Sequence, residues 1–209
     1  PDEAVAEAMR IAARASKPVV LADTQDNSGG GAPSDSVGLL EAMVRAKAPG
    51  AVIGLLFDPE SAQAAHQAGE GAEVSLQLGG KRVPGHKPLE ATFKVRKLGD
   101  GNFTATGPFY GGSRMKLGPM ALLELNGVGV VVGSRKLQAA DKEIFRHVGV
   151  EPAKQKILGL KSSVHYRADF QPIAETILVV EAPGVVHADP GKLTWTKLRP
   201  GVRLRPRAA

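Results

Sequence analysis

The sequence contains no cysteine, few aromatic residues and no long apolar run. The absence of cysteine excludes a disulfide scaffold, a thiol nucleophile, an iron–sulfur cluster and a thiolate zinc site. No stretch reaches the roughly 20 apolar residues that a membrane-spanning helix needs, and no apolar signal segment opens the chain. We therefore expect a protein without a membrane partner. Because the first residue is Pro1 rather than Met, we also expect the chain to be part of a longer polypeptide.

The size and composition predict a single domain that spans residues 1–209. The chain has 209 residues, of which 43% are hydrophobic and 23% are charged. These values are ordinary for a globular protein, and the length is sufficient to bury one sizeable core.

The formal net charge of +6 comes from the C-terminal end. Six of the 27 basic residues lie in the last 18 positions, which leaves 21 basic residues to balance all 21 acidic ones in residues 1–191; the six are Lys192, Lys197, Arg199, Arg203, Arg205 and Arg207. Apolar residues alternate with them, a pattern that predicts an edge strand or a docking arm. Only 4% of the chain is aromatic, so stacking platforms for bases are scarce. We expect no nucleic-acid partner.

Two types of hydrophobic pattern follow one another along the chain. Short, fully apolar strands alternate with helical patterns in the first part, as at residues 18–22 and 51–57, with helices predicted from about 35 to 47 and 58 to 67. Strict alternation then begins at residue 73, with turns at Gly79-Gly80 and Asn126-Gly127. A helix at 139–147 and strands at 156–160 and 176–180 complete the pattern. The sequence predicts an α/β fold, a mostly parallel sheet covered by helices with an antiparallel β-meander insertion in the middle region.

The most informative segment is a glycine-rich loop at residues 22–35, between a predicted buried strand and a helix. Ligands bind at such junctions in open α/β sheets. The loop fits neither a Walker loop nor the dinucleotide glycine spacing, and its three aspartates would repel phosphate. They suit a cation, a substrate ammonium group or the positioning of a catalytic group. A tight structural turn explains the same residues equally well.

A second polar segment, residues 161–170, follows the predicted strand at 156–160. It offers an imidazole, two cations and two hydroxyl groups at the end of one strand. His165 and Asp169 are four residues apart, so Asp169 could orient the ring on a shared helix face. The alternative is a simple strand-to-helix junction with Ser162 or Ser163 as N-cap.

Other segments are weaker candidates. We interpret Tyr110–Arg114, Gly85–Lys87 and Ser134–Lys136 as surface turns, and His66, His147 and His187 as structural residues. No two histidines have the spacing of a metal pair, so we predict no metal ligands in this chain. If it held its own zinc, His165 with Asp23 or Asp26 would be the ligands.

Three motifs in this order resemble the C-terminal domain of the microcystinase C (MlrC) family. They are D-N-S-G-G-G-A-P-S-D at 26–35, S-R-K-L-Q-A-A-D at 134–141 and K-S-S-V-H-Y-R-A-D-F-Q-P-I-A at 161–174. The resemblance implies a bacterial, cytoplasmic, zinc-dependent peptidase that acts on linearised microcystin or other short peptides. It also implies that an N-terminal domain of the same polypeptide holds the zinc, and it allows for a homo-oligomer. The chain departs from the expected pattern at Ser28, where we expect a turn former, and at Ser34, where we expect glycine.

On this resemblance we assign roles to the two polar segments. His165 would stabilise the tetrahedral intermediate or move a proton, and Arg167 would act beside it. The predicted substrate-binding residues are Asp26, Asn27, Gly29, Gly30, Gly31, Lys161, Ser163 and Tyr166, with Arg167 or Lys161 holding the peptide carboxylate and Asp26 with Asn27 binding amide or ammonium groups. Two rival hypotheses remain, a non-catalytic module that binds peptides or small anions and a purely structural domain.

Overall fold

The computed structural model describes residues 1–205 and contains an eight-stranded sheet, a separate two-stranded ribbon and five α-helices in that part of the chain. Arg207 of the basic tail lies outside the described residues. The elements in chain order are α1 (Asp2–Ala12), β1 (Val19–Asp23), α2 (Gly38–Arg45), β2 (Ala51–Phe57), α3 (Pro59–Ala68), β3 (Glu73–Leu78), β4 (Leu89–Gly99), β5 (Asn102–Thr104), β6 (Arg114–Lys116), β7 (Met120–Leu125), β8 (Val128–Gly133), α4 (Glu143–Arg146), β9 (Ile157–Leu160), α5 (Arg167–Phe170) and β10 (Thr176–Val180).

The strand order in the large sheet is β10-β1-β9-β2-β8-β7-β4-β3. The first five strands pair in parallel, and the remaining pairs β8/β7, β7/β4 and β4/β3 are antiparallel. This arrangement confirms the predicted α/β fold. The antiparallel meander does not form a separate layer, because β8 joins it to the parallel strands within one continuous sheet.

Successive strand residues point to opposite faces of the sheet, which produces two apolar layers. On one face Val19 and Leu21 pack with the apolar residues of α1, α2 and α3. On the other face Val20 and Ala22 belong to a cluster with α4, α5 and Tyr166. Both faces of β1, β8 and β9 are therefore covered, which leaves the ends of these strands as the place where polar groups can gather.

Local signals predicted some elements well. Asp58 caps α3 by accepting a hydrogen bond from the backbone N–H of Ser61 at 3.1 Å, with Pro59 in the first helical position. Asn126 and Gly127, both with positive φ, form the turn of the β7–β8 hairpin. Helices and hairpins with strong local signals thus formed where the sequence predicts them.

Three other predicted elements differ from the structure. The helix predicted from residue 35 begins only at Gly38, because the Asp35 carboxylate accepts hydrogen bonds from the backbone of Lys81 and Arg82 instead of capping α2. The helix predicted at 139–147 covers only Glu143–Arg146. The described part of the basic tail contains no strand. Among the helices that the structure describes, none has the length and apolar character to cross a membrane.

Candidate functional site

The two polar segments highlighted by the sequence lie side by side at the carboxyl edge of the parallel strands. The glycine-rich loop follows β1 and the 161–166 segment follows β9, and these two strands are parallel neighbours. The side-chain amide of Asn27 donates a hydrogen bond to the hydroxyl oxygen of Ser163 at 2.7 Å, across 136 residues of chain. The parallel pairing brings both loops to one edge and so creates a single candidate site.

A buried ionic cluster lies under this edge. The ammonium group of Lys161 donates to Asp23 Oδ2 at 3.0 Å, to Asp26 Oδ2 at 2.8 Å and to Ser36 Oγ at 3.1 Å. Lys161 and Asp23 are fully buried, and Asp26 is 1% exposed. Because an ammonium group has three N–H donors, Lys161 has none left for a ligand.

The pKa values of this cluster follow from burial and mutual attraction. Burial raises the pKa of Asp23 and outweighs the attraction of Lys161. Burial also works against ionisation of Asp26, but the Lys161 ammonium and the Ser36 hydrogen bonds together hold the pKa of Asp26 below its usual range. Burial disfavours the Lys161 ammonium, yet the two carboxylates raise the pKa of Lys161. The lysine ammonium is therefore the counter-ion of Asp26, and its hydrogen bond to Asp23 meets a carboxyl group that burial pushes toward the neutral form.

Asp26 also folds the loop back on itself. Its Oδ1 accepts the backbone N–H of Ser34 at 2.8 Å and its Oδ2 accepts that of Ser36 at 2.7 Å. Ser34 has a φ of 59°, in the left-handed region that favours glycine. The backbone here gives a physical reason for the glycine that we expected at this position, and the Ser34 hydroxyl compensates by donating to the carbonyl oxygen of Asp26 at 3.2 Å.

The three consecutive glycines are exposed, but their amide hydrogens are already used. Gly29 N–H donates to Asn27 Oδ1 at 3.0 Å, Gly30 N–H to the Asn27 carbonyl at 2.9 Å, and Gly31 N–H to the Ser28 carbonyl at 3.1 Å. The loop therefore offers carbonyl oxygens rather than amide donors to a ligand. Such acceptors suit peptide N–H or ammonium groups better than anions.

His165 is exposed at the rim of the same edge. Its Nδ1 lies 3.2 Å from Oε1 of Gln138, and its ring stacks on Phe109 with the ring centroids 4.0 Å apart. Tyr110 packs edge-on against Phe109 at 4.7 Å. Phe109 is itself 41% exposed, so an imidazole and an apolar ring face solvent together.

The segment that carries Phe109 is anchored by Asp141 and packs against the carboxylate of Asp169. Asp141 Oδ2 accepts the backbone N–H of Gly107 at 2.7 Å. The Asp169 carboxylate accepts the backbone N–H of Lys142 and forms a salt bridge with the Lys142 ammonium group. A Cβ at Gly107 would lie 2.7 Å from Asp169 Oδ2, so only glycine fits there without a shift. The predicted contact between Asp169 and His165 is wrong, because the Asp169 carboxylate is bonded to Lys142 and the His165 ring to Gln138. Neither Ser162 nor Ser163 caps α5, which begins at Arg167 without a side-chain cap.

The predicted site residues divide into exposed and buried groups. His165, Arg167 and the three glycines are exposed, and Ser163 is partly exposed. The buried ones are Asp26, Asn27, Lys161 and Tyr166. Their direct contact with a substrate stays a prediction, and in this structure the polar groups of Asp26, Asn27 and Lys161 form hydrogen bonds within the chain.

Arg167 has different surroundings from His165. Its guanidinium lies 5.3 Å from the centre of the Tyr166 ring. It also lines a cavity of about 420 Å³ with residues of the segment that leads into β10, among them Gln171 and Glu175. Its action beside His165 therefore stays a prediction, and the geometry favours His165 as the centre of the site.

The residues present do not fit a zinc ion. Within residues 1–205 no group of three His, Asp or Glu side chains is arranged to hold a metal. Asp23 and Asp26, the ligands considered for a self-contained site, already enclose the Lys161 ammonium. The His165 ring is instead engaged with Gln138. The alternative zinc site is thus not assembled by these side chains.

Sequence reasoning missed Gln138, Phe109 and Ser36 as members of this edge. Gln138 lies in the second of the three motifs, which was the available signal for it. Phe109 adjoins the Tyr110–Arg114 segment, which we interpreted as a surface turn. No spacing rule relates either residue to His165, because the contacts are made across a fold rather than along an element.

Comparisons with known proteins identify relatives of this chain. The chain is 34% identical over 164 residues to Microcystinase C of Sphingomonas sp., covering 78% of this chain and 32% of that protein. It is 30% identical to a crystal structure named "Putative metallopeptidase" from Mesorhizobium sp. BNC1, with a TM-score of 0.84, covering 98% of this chain and 41% of that one. The chain therefore spans about a third of the curated relative and two fifths of the solved one. The family described as MlrC C-terminus matches residues 21–197, and the chain belongs to that family.

Proposed function

We propose that this chain is the C-terminal domain of a larger zinc-dependent peptidase or amide hydrolase that acts on short or linearised peptides. The observation that carries the proposal is the meeting of His165, Phe109 and the glycine loop at one edge of the sheet. Membership of the MlrC C-terminal family supports the reaction class, since one relative is named Microcystinase C and the other is named a metallopeptidase. The setting would be the bacterial cytoplasm, as the family resemblance implies.

In this proposal the exposed residues act on the substrate. His165 donates a hydrogen bond to the oxyanion of the tetrahedral intermediate or moves a proton to the leaving amine, the tasks for which imidazole is suited near neutral pH. The carbonyl oxygens of Gly29 to Gly31 accept N–H groups of the peptide. Phe109 supplies an apolar surface beside them. Arg167 would hold a peptide carboxylate only if the substrate extends toward β10.

The buried residues position this surface. Lys161 and Asp26 fix the glycine loop to the end of β9, and Asn27 ties it to Ser163. This role replaces the direct substrate contacts expected from the sequence. It makes Lys161 essential for the shape of the site without giving it a bond to the peptide.

The zinc, in this proposal, is held by the N-terminal domain of the same polypeptide. The described residues of this chain assemble no ligand set for the zinc. This chain would therefore form one side of the substrate cleft and present His165 and the glycine loop toward the metal-holding domain. We derive no step of the reaction through the metal.

The test is His165→Ala in the polypeptide that contains both domains. General acid–base groups contribute about 10²- to 10⁴-fold, so we expect hydrolysis of a linear peptide to fall by at least about 100-fold. Zinc content, measured by atomic emission, should stay unchanged. His86→Ala, in the loop between β3 and β4, is the matched control and should keep the activity.

Two outcomes would contradict the proposal. If His165→Ala loses zinc together with activity, His165 is a metal ligand and the division between the two domains is wrong. If His165→Ala hydrolyses peptides normally, the edge is not catalytic, and peptide binding without turnover by the purified chain would favour a binding module instead.

A further inference from the structure

Hydrogen bonds of the backbone at residues 138 and 139 and packing against the glycine loop position Gln138. It is 6% exposed and lies between β8 and α4. Its carbonyl oxygen accepts the N–H of Ala140 at 2.8 Å, and the next residue, Ala139, donates to the carbonyl of Lys161 at 3.2 Å. A Cβ at Gly29 would lie 2.7 Å from Gln138 Oε1, so the glycine loop closes over the carboxamide. The carboxamide therefore packs directly against Gly29 of the glycine loop.

The Gln138 carboxamide oxygen faces two donors. Oε1 accepts from the Ser162 hydroxyl at 3.4 Å and lies 3.2 Å from Nδ1 of His165. A carboxamide oxygen can only accept hydrogen bonds, so the short contact requires a hydrogen on Nδ1. A neutral imidazole carries one such hydrogen, and Nε2 then keeps its lone pair. Nε2 has no hydrogen-bond partner within residues 1–205.

The plane of the imidazole is fixed as well. Phe109 stacks on the ring with an angle of 25° between the planes. The Phe109 segment is anchored in turn by Asp141 through the N–H of Gly107. One ring face and one ring nitrogen are therefore engaged by the protein, and the opposite nitrogen is left on an exposed residue.

We propose that Gln138 is a positioning residue that holds His165 in the tautomer with hydrogen on Nδ1 and presents the Nε2 lone pair at the edge of the site. The tautomer is a property of this chain and does not depend on the reaction. Its use rests on the proposed function and selects between the two tasks named there. The Nε2 lone pair can take a proton from the attacking water and pass it to the leaving amine, whereas donation of a hydrogen bond to the oxyanion would first require a proton on Nε2.

The tautomer is measured directly in the ¹⁵N-labelled 209-residue chain by long-range ¹H–¹⁵N correlation of the imidazole rings, at a pH where they are neutral. We expect the pattern of an Nδ1–H ring for His165. His66 is an internal reference for the other tautomer, because its Nε2 lies 3.0 Å from the carbonyl oxygen of Met120, which can only accept. An Nε2–H pattern for His165 in the unmodified chain would mean that the carboxamide is reversed and would overturn the proposal.

Two variants separate positioning from simple folding. Gln138→Met has similar length and no acceptor oxygen, so the His165 ring should shift toward the Nε2–H form while the His66 signals stay in place. Gln138→Glu restores an acceptor oxygen and should restore the Nδ1–H form in the neutral ring. The proposal fails if His165 keeps the Nδ1–H pattern in Gln138→Met with unchanged His66 signals, since Gln138 would then not determine the tautomer.

Activity of the two-domain polypeptide distinguishes this inference from the proposed function. With a shifted tautomer, Gln138→Met should lower kcat by about 10-fold or more at nearly unchanged KM. If the tautomer shifts as expected but neither Gln138→Met nor His165→Ala affects hydrolysis, the positioning role stands and the proposed catalytic role of His165 falls.

Discussion

The two halves of the large sheet have different sequence patterns and different polar chemistry. In the parallel half, β1, β8 and β9 are buried along their whole length, and β2 is buried except at Phe57. In the antiparallel half, β3 and β4 alternate between exposed and covered residues. The parallel strands therefore keep charges for their ends, whereas the antiparallel strands carry charges along one face.

This difference explains why the candidate site forms at one edge only. Parallel strands all deliver their carboxyl ends to the same edge, so the residues after β1 and β9 converge. Antiparallel neighbours end at opposite edges, which separates the residues that follow them. The charges of β4 instead pair on the surface, as Lys97 does with Glu70 at 2.9 Å, with both side chains about half exposed.

Lys161→Met is one of two variants with the largest expected effect on stability. Removing one partner of a buried ion pair leaves uncompensated charge, so we expect the free energy of unfolding to fall by about 3–5 kcal/mol at pH 7 in urea titrations. Lys97→Met in the antiparallel half is the matched control and should change it by less than about 1 kcal/mol. Equal losses of unfolding free energy in the two variants would contradict the difference between the two halves of the sheet.

The same variant has a predicted pH dependence. Without the lysine, burial and mutual repulsion should raise the pKa of both Asp23 and Asp26 in the folded chain. A carboxyl group whose pKa is higher in the folded than in the unfolded chain takes up a proton on folding, so acid favours the fold. Lys161→Met should therefore recover part of its stability between pH 7 and pH 5. A variant whose stability falls over that range would show that the aspartates are not its cause.

Phe93→Ala tests the same comparison with a variant in the antiparallel half of the sheet. Phe93 is fully buried on β4, and truncation of such a ring costs about 3–5 kcal/mol. Because β4 contributes no residue to the candidate site, the ring nitrogen signals of His165 should be unchanged at 25 °C as long as the variant is folded. Urea titration measures the loss and the imidazole spectrum measures the site. A changed His165 spectrum would mean that the two halves are coupled.

The smallest expected change in stability belongs to Gly29→Ala. The added Cβ would press on the end of the Gln138 side chain, which can move away, so we expect a loss within about 1 kcal/mol. The displaced carboxamide should nevertheless lower the Nδ1–H share of His165 in the imidazole spectrum. Gly111→Ala is the control, because its Cβ would meet the Gly107 carbonyl at an ordinary 3.6 Å. If neither variant changes the tautomer of His165, the glycine loop does not determine the position of the Gln138 carboxamide.

Elements whose partners are close in sequence could be predicted from the sequence. Asp58 caps α3 by accepting the backbone N–H of Ser61, three residues further along, and the turn at Asn126-Gly127 depends only on its own two residues. The start of α2 could not be predicted, since Asp35 accepts hydrogen bonds from Lys81 and Arg82, more than 40 residues further along. A side chain that satisfies distant donors does not act as the local cap that its sequence position favours.

The same distinction applies to the candidate site. The glycine loop and the 161–170 segment could be located because each directly follows an apolar strand. The role of Lys161 could not be predicted, because composition does not say whether a lysine faces solvent or two buried carboxylates. Gln138 was missed since its contact with His165 spans 27 residues between different elements.

By itself, the sequence determined the class of fold, the loops that leave the parallel strands and the family to which they belong. Apolar runs, alternation and turn residues act over a few positions, so they can be interpreted without coordinates. The tertiary structure alone decided which polar groups are buried as partners and which face solvent. That outcome depends on long-range packing, where Lys161 becomes a counter-ion inside the fold and His165 stays at its edge beside Gln138 and Phe109.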